Sequence, residues 1–196
     1  VLGRKIETVV EDDQTNPEAA VRAARKLIEV NKVPMILGTW ASAVTAAVAP
    51  VCWESKTFLM TVSGADSITL LPHQGFLVRT QPTSKLQATA HGEFMLSQGA
   101  KRVGIIGIQA PFALPNKEHL EATLKPKGAE VVSHIIYEKD KPTYRSEIDQ
   151  MMRGRPDYIY TNGYAPDTVV LLRDLYRAGY ASPPAGLWAT PDREVS

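Results

Sequence analysis

Six apolar, β-branched runs punctuate the chain: Ile6–Val10, Pro34–Leu37, Thr57–Thr61, Arg102–Ile106, Glu130–Tyr137 and Asp157–Thr161. Between them, apolar positions recur every three or four residues. Short runs of this kind read as strands and the longer spacing as amphipathic helix. Strand and helix in alternation predict parallel sheets covered by helices on their faces. Ile6–Val10 is the first expected strand, left through the acidic turn Glu11-Asp12-Asp13. Thr15 and Glu18 then stand at capping-box spacing, with Pro17 just inside a helix start. Val21, Ala24, Leu27 and Ile28 should face a core.

The pattern continues through a short strand at Met35–Leu37 and a helix whose apolar face carries Val44, Ala47, Val48, Val51 and Cys52. Strands follow at Phe58–Val62 and Phe76–Arg79. Thr80-Gln81-Pro82-Thr83 is the expected crossing between two lobes, residues 1–82 and 83–196, with Ser84 and Gln87 at capping spacing for the next helix. Beyond it come a strand at Val103–Ile106, a helix from about Asn116 to Lys125 and a strand at Val131–Tyr137. A helix at Tyr144–Met152, a strand at Tyr158–Tyr160 and a helix at Asp167–Ala178 complete the order, and Gly186-Leu187-Trp188 reads as one more strand. The chain starts at Val1 and stops after Asp192–Ser196 without a terminator, so both lobes are expected to be incomplete.

Composition narrows the function classes. With 22 basic and 21 acidic side chains, the formal charge of +1 leaves no excess of cations for a nucleic-acid surface. Cys52 is the only cysteine, so an internal disulfide and a cysteine metal set are excluded; it reads as a small buried hydrophobe. His73, His91, His119 and His134 are scattered, without HExxH spacing, and no metal site is expected. The chain contains no GxSxG elbow and no GxxxxGK[ST] loop. Gly104-Ile105-Ile106-Gly107 is half of a nucleotide-binding turn, but its glycines fall within the strand. Neither cofactor nor catalytic set is expected. Binding is favoured over chemistry.

Open α/β sheets bind small molecules beyond the carboxyl ends of their strands. Two strand-end turns stand out there, Gly38-Thr39-Trp40-Ala41-Ser42 and Ser63-Gly64-Ala65-Asp66. Ser42, in the first helical turn, can cap the helix or present its hydroxyl and nearby N–H groups to an anion. Trp40 can plug a core or wall an apolar pocket. Gly64 lets backbone approach closely, its carbonyl suits an ammonium or amide, and the Ala65 N–H suits a carboxylate. Asp66 is either a turn cap or an acceptor for a cationic or amide group. Tyr164 and Phe112, each on a turn, can stack on a ligand or cover a sheet; Tyr158 and Tyr160 read as sheet-face residues.

In order and spacing the chain resembles the leucine/isoleucine/valine-binding branch of the type I periplasmic binding proteins, solute receptors of ABC importers. The residues carrying this are Leu2–Glu7, Glu11–Pro17 with Ala19-Ala20, Val62–Ala65, Arg79-Thr80, Asp157–Tyr164 and Ala178-Gly179. The resemblance implies an α/β fold of two Rossmann-like lobes with parallel sheets, an interlobe cleft, truncation at both ends, and a site for an amino acid or amide. It also implies a membrane permease as partner and a periplasmic location, or an anchored extracellular one in a Gram-positive organism. A sensory receptor or regulator of the same fold is the alternative, and an α/β hydrolase using Asp66 and a histidine is the competing class.

Carried over residue by residue, Ser42 and the Ala65 backbone match the family's carboxylate contacts and Gly64 its ammonium contact. Asp66 stands where the family has Thr or Ser, Phe112 where it has Tyr before Gly, and Tyr164 matches a Tyr of the second lobe. Asp192 is the acid nearest to the family's ammonium ligand around Leu187–Asp192. An acid at position 66 disfavours a second carboxylate on the ligand. Arg79, the basic residue close in sequence, is expected at a strand end outside the cleft. A neutral amino acid with a bulky side chain follows as the expected ligand.

Overall fold

The structure is a computed structural model, describing Gly3 and residues 5–180. The chain divides into two compact units, one ending at Thr83 and the other starting at Ser84. The expected strand Gly186–Trp188 and the acid Asp192 lie outside the described residues.

The first unit carries helix α1 (Pro17–Arg25), which runs on into a π-helical turn, Lys26–Val30. Strand β1 (Met35–Leu37), helix α2 (Ser42–Glu54), strand β2 (Phe58–Thr61), a 3₁₀ turn (Asp66–Leu70) and strand β3 (Leu77–Arg79) follow. The sheet order is β1-β2-β3, all parallel. Helix α1 packs on α2, and Val44, Val48, Val51 and Cys52 are buried as one face of α2. On α1 the buried positions are Ala19, Ala20 and Ala24; the expected core positions Val21, Leu27 and Ile28 are half-buried.

Two expectations are corrected here. The cap of α1 is Asn16, whose side chain accepts from the Ala19 N–H at 2.9 Å. Thr15 is excluded because its φ is +50°, whereas an N-cap residue needs extended backbone, which Asn16 has. The second correction is Ile6–Val10, which forms no strand. A strand requires a ladder partner. Both this segment and Met35–Thr39 line a pocket of about 460 Å³.

The second unit runs α3 (Ser84–Ser97), β4 (Arg102–Ile108), α4 (Asn116–Leu124), β5 (Glu130–Tyr137), α5 (Arg145–Met152), β6 (Tyr158–Asn162) and α6 (Ala165–Arg177). Its sheet is parallel, with β4 between β5 and β6. On one face Val103, Ile105 and Tyr160 pack with Ala88, Met95, Leu120 and Leu124. On the other, Ile106, Ile108, Tyr137 and Ile159 pack with Tyr144, Ile148, Met151, Leu171 and Leu175. Burial on both faces explains why β4 reads as an unbroken apolar run. Gly104 and Gly107 lie inside it; a Cβ at Gly104 would come within 3.1 Å of Pro156 and Ser133, so close strand packing accounts for that glycine.

Candidate functional site

In the first unit the two strand-end turns meet. Gly38 donates its N–H to the Met60 carbonyl at 3.0 Å, the last backbone pairing before the Thr39–Ala41 turn leaves the sheet. Helix α2 then starts at Ser42, with Ala41 as its cap. The Ser42 hydroxyl does not cap its own helix. Its Oγ accepts the Ala65 N–H at 3.2 Å, across 23 residues of chain. Ser42 and Ala65 are each 2% exposed, whereas Trp40 is 45% exposed. Of the two readings of Trp40, a core plug does not fit a residue this exposed; Asp66, at the end of the other turn, is half-buried.

Below the surface lies a group of hydroxyls. Thr61 Oγ1 donates to the Thr39 carbonyl at 2.8 Å, and Ser63 Oγ donates to the Trp40 carbonyl at 2.9 Å. Thr45 Oγ1 contacts both Ser63 Oγ and Thr39 Oγ1. Thr45, Thr61 and Ser63 are fully buried.

Arg79 ends β3, as a strand-end residue should, but it does not stand apart from the site residues. Its Nη1 donates to the Ala65 carbonyl at 2.7 Å and its Nη2 to Thr69 Oγ1 at 3.2 Å. Burial lowers the guanidinium's pKa, and the charge of Asp66 opposes that shift. The acidic residue at position 66 thus has a cation at hand. Sequence reasoning named Arg79 without its reach to Ala65, and it missed the hydroxyl group. For the hydroxyls a signal existed, since Thr61 and Ser63 are two apart at a strand end and share a side of the chain.

In the second unit Phe112 and Tyr164 come together, with ring centroids 5.4 Å apart and planes tilted by 49°. Both are half-buried. Tyr164 precedes α6, its extended backbone directing its carbonyl to accept from the Thr168 N–H at 3.0 Å and hydroxyl at 2.9 Å. Next to it, Gly163 faces Tyr137, a buried ring whose hydroxyl has no hydrogen-bond partner among the described residues. Burial raises the Tyr137 pKa, with a further contribution from Asp167. Tyr144, its ring tilted against Tyr137 with centroids 4.6 Å apart, donates its hydroxyl to Asp167 at 2.5 Å. Tyr160 is buried in the core and in contact with His91, as its sheet-face reading requires.

Comparison with known proteins agrees with this architecture. A family model described as periplasmic binding protein matches residues 1–191. The Leu/Ile/Val-binding protein BraC3 of Rhizobium johnstonii is 25% identical over 178 residues, covering 90% of this chain and 48% of that protein. Among solved structures, an ABC-transporter solute-binding protein of Rhodopseudomonas palustris, in complex with 4-hydroxybenzoate, superposes with a TM-score of 0.84 at 24% identity. That match covers 91% of this chain and 49% of the other. The leucine-binding protein LivK of Thermotoga maritima gives 0.81 at 24% identity, covering 93% and 52%. The chain therefore spans about half the length of these relatives and shares the type I periplasmic-binding-protein fold. It belongs to the periplasmic binding protein family.

Proposed function

We propose that the chain is part of the solute receptor of an ABC importer, capturing a small molecule without covalent change and delivering it to a membrane permease. The corresponding location is the periplasm, or an extracellular, membrane-anchored one in a Gram-positive organism. The proposed contacts are Trp40, Ser42, Gly64, Ala65 and Asp66 on the first unit and Phe112 and Tyr164 on the second. The observation that carries this reading is the Ser42–Ala65 hydrogen bond, which joins the two strand-end turns beside the exposed Trp40. A ligand carboxylate can accept from the Ser42 hydroxyl, whose oxygen already takes the Ala65 N–H, and the indole supplies an apolar wall.

The ligand class that fits is one carboxylate on a bulky apolar body: a branched-chain or aromatic amino acid, a related amide, or an aromatic acid. Relatives named for leucine, for Leu/Ile/Val, or found with 4-hydroxybenzoate support this class. Arg79, bonded to the Ala65 carbonyl and electrostatically coupled to Asp66, offsets the repulsion that an acid at position 66 would exert on the ligand's carboxylate. Calorimetry of the full chain with leucine and with 4-hydroxybenzoate tests the reading. Saturable heat with either probe is the expected result; no heat with either refutes it.

A further inference from the structure

The carbonyls of the first of the two turns proposed to hold the solute, Thr39 to Ala41, are held from one side by a buried set of hydroxyls. Thr61 and Ser63, at the end of β2, reach across to the other turn and bond the Thr39 and Trp40 carbonyls at 2.8 and 2.9 Å. Ser63 Oγ also lies 3.2 Å from the Thr39 carbonyl, and the Ser63 N–H donates to Thr61 Oγ1 at 3.2 Å. Thr45, on the first turn of α2, meets Ser63 Oγ, Thr39 Oγ1 and the Ala41 carbonyl.

A hydroxyl has one proton and two acceptor sites. With Thr61 donating to Thr39 and Ser63 to Trp40, Thr45 donates to Ser63 or Ala41, and Thr39 donates to Thr45. Every proton then has an acceptor. A fully satisfied buried polar network specifies one arrangement and rigidifies it. The arrangement here is the spacing between the turn that carries Trp40 and Ser42 and the turn that carries Ala65.

We infer that Thr61 and Ser63 are positioning residues for solute capture: they fix the Thr39–Ala41 turn so that Ser42 Oγ and the Ala65 N–H stand together. This inference rests on the proposed function of the site. Neither hydroxyl is a ligand contact; both act through the carbonyls they hold.

The test uses the full chain as wild type, Thr61→Val, Thr61→Ser and Ser63→Ala, with leucine and 4-hydroxybenzoate as probes. Each protein is measured by calorimetry, by thermal melting and by amide hydrogen exchange at Trp40, Ser42 and Ala65. The near-isosteric Thr61→Val leaves the Thr39 carbonyl short of its better donor. Affinity for the bound probe should drop about tenfold, as expected for loss of one buried hydrogen bond. Thr61→Ser should restore it, and exchange should accelerate at the three turn amides while α1 stays as in wild type.

A purely structural role would lower the melting temperature and leave affinity unchanged; unchanged affinity in both Thr61→Val and Ser63→Ala overturns the inference. If wild type binds neither probe, the functional reading fails, and the exchange measurement still decides the positioning role. Faster exchange confined to the two turns supports it, whereas unchanged or uniformly faster exchange overturns it.

Discussion

Gly163 lies at the junction of β6 and the Tyr164 turn, and the space around it sets a specific cost for any side chain there. A Cβ built on Gly163 falls 2.0 Å from the Tyr137 hydroxyl oxygen and 3.3 Å from its Cζ. Since Cβ atoms do not approach closer than 3.0 Å, Gly163→Ala requires the phenol tip to retreat by about 1 Å. The ring has little room to do so. Tyr137 is 1% exposed and packs, tilted, against Tyr144, which is itself held by Asp167. Overpacking of a tight core costs roughly 1–3 kcal/mol. In a unit of this size that is a fall in Tm of roughly 4–8 °C per kcal/mol. Tyr137→Phe removes the offending atom, and because that hydroxyl has no hydrogen-bond partner among the described residues its loss should be close to neutral. Thermal or urea unfolding of both single variants and the double variant completes the cycle, and the double variant should recover most of the loss. A Gly163→Ala protein as stable as wild type, or one that Tyr137→Phe does not rescue, would refute the packing argument.

Three further outcomes are expected. Burial raises the Cys52 thiol to about 11, so little thiolate exists at neutral pH and a disulfide-exchange reagent should label it only after unfolding; rapid labelling of native protein would contradict its place in the core. Burial also lowers the His91 pKa, so below the ordinary histidine value of about 6.5 the unfolded chain binds the proton first, and stability should decline on acidification from there. His91→Gln should flatten that part of the profile, leaving the contribution of His134, which is shifted the same way. An identical slope in the variant would rule His91 out. Ser42→Ala leaves the Ala65 N–H without its side-chain acceptor, and solute affinity should weaken by about 1–3 kcal/mol in calorimetry; unchanged affinity removes Ser42 from the site.

The parallel sheets were legible where local pattern and tertiary burial agree. β4 and the apolar face of α2 are of this kind, because strands and helices buried as these are show it in composition and period. Ile6–Val10 misleads because β-branched composition marks a preference for extended backbone, whereas a strand also needs a neighbour to pair with. Asn16 rather than Thr15 caps α1 because of a backbone angle that two adjacent polar residues do not reveal. At the candidate site, the turns and their residue types could be read from strand ends. The Ser42–Ala65 bond and the reach of Arg79 to the Ala65 carbonyl could not, since both join residues distant in sequence through the fold.

The measurement that tests the central claim most directly is thermal melting of the full chain against leucine, phenylalanine, benzoate, 4-hydroxybenzoate, glutamate and a polyamine, with the solute recovered and weighed by mass spectrometry. A ligand that binds only the folded protein raises its stability with concentration, by RT ln(1 + [L]/Kd). The account predicts a concentration-dependent rise with at least one monocarboxylate bearing a bulky apolar group, and recovery of that solute unchanged. No rise with any of these carboxylates, or recovery of a converted product, would contradict it.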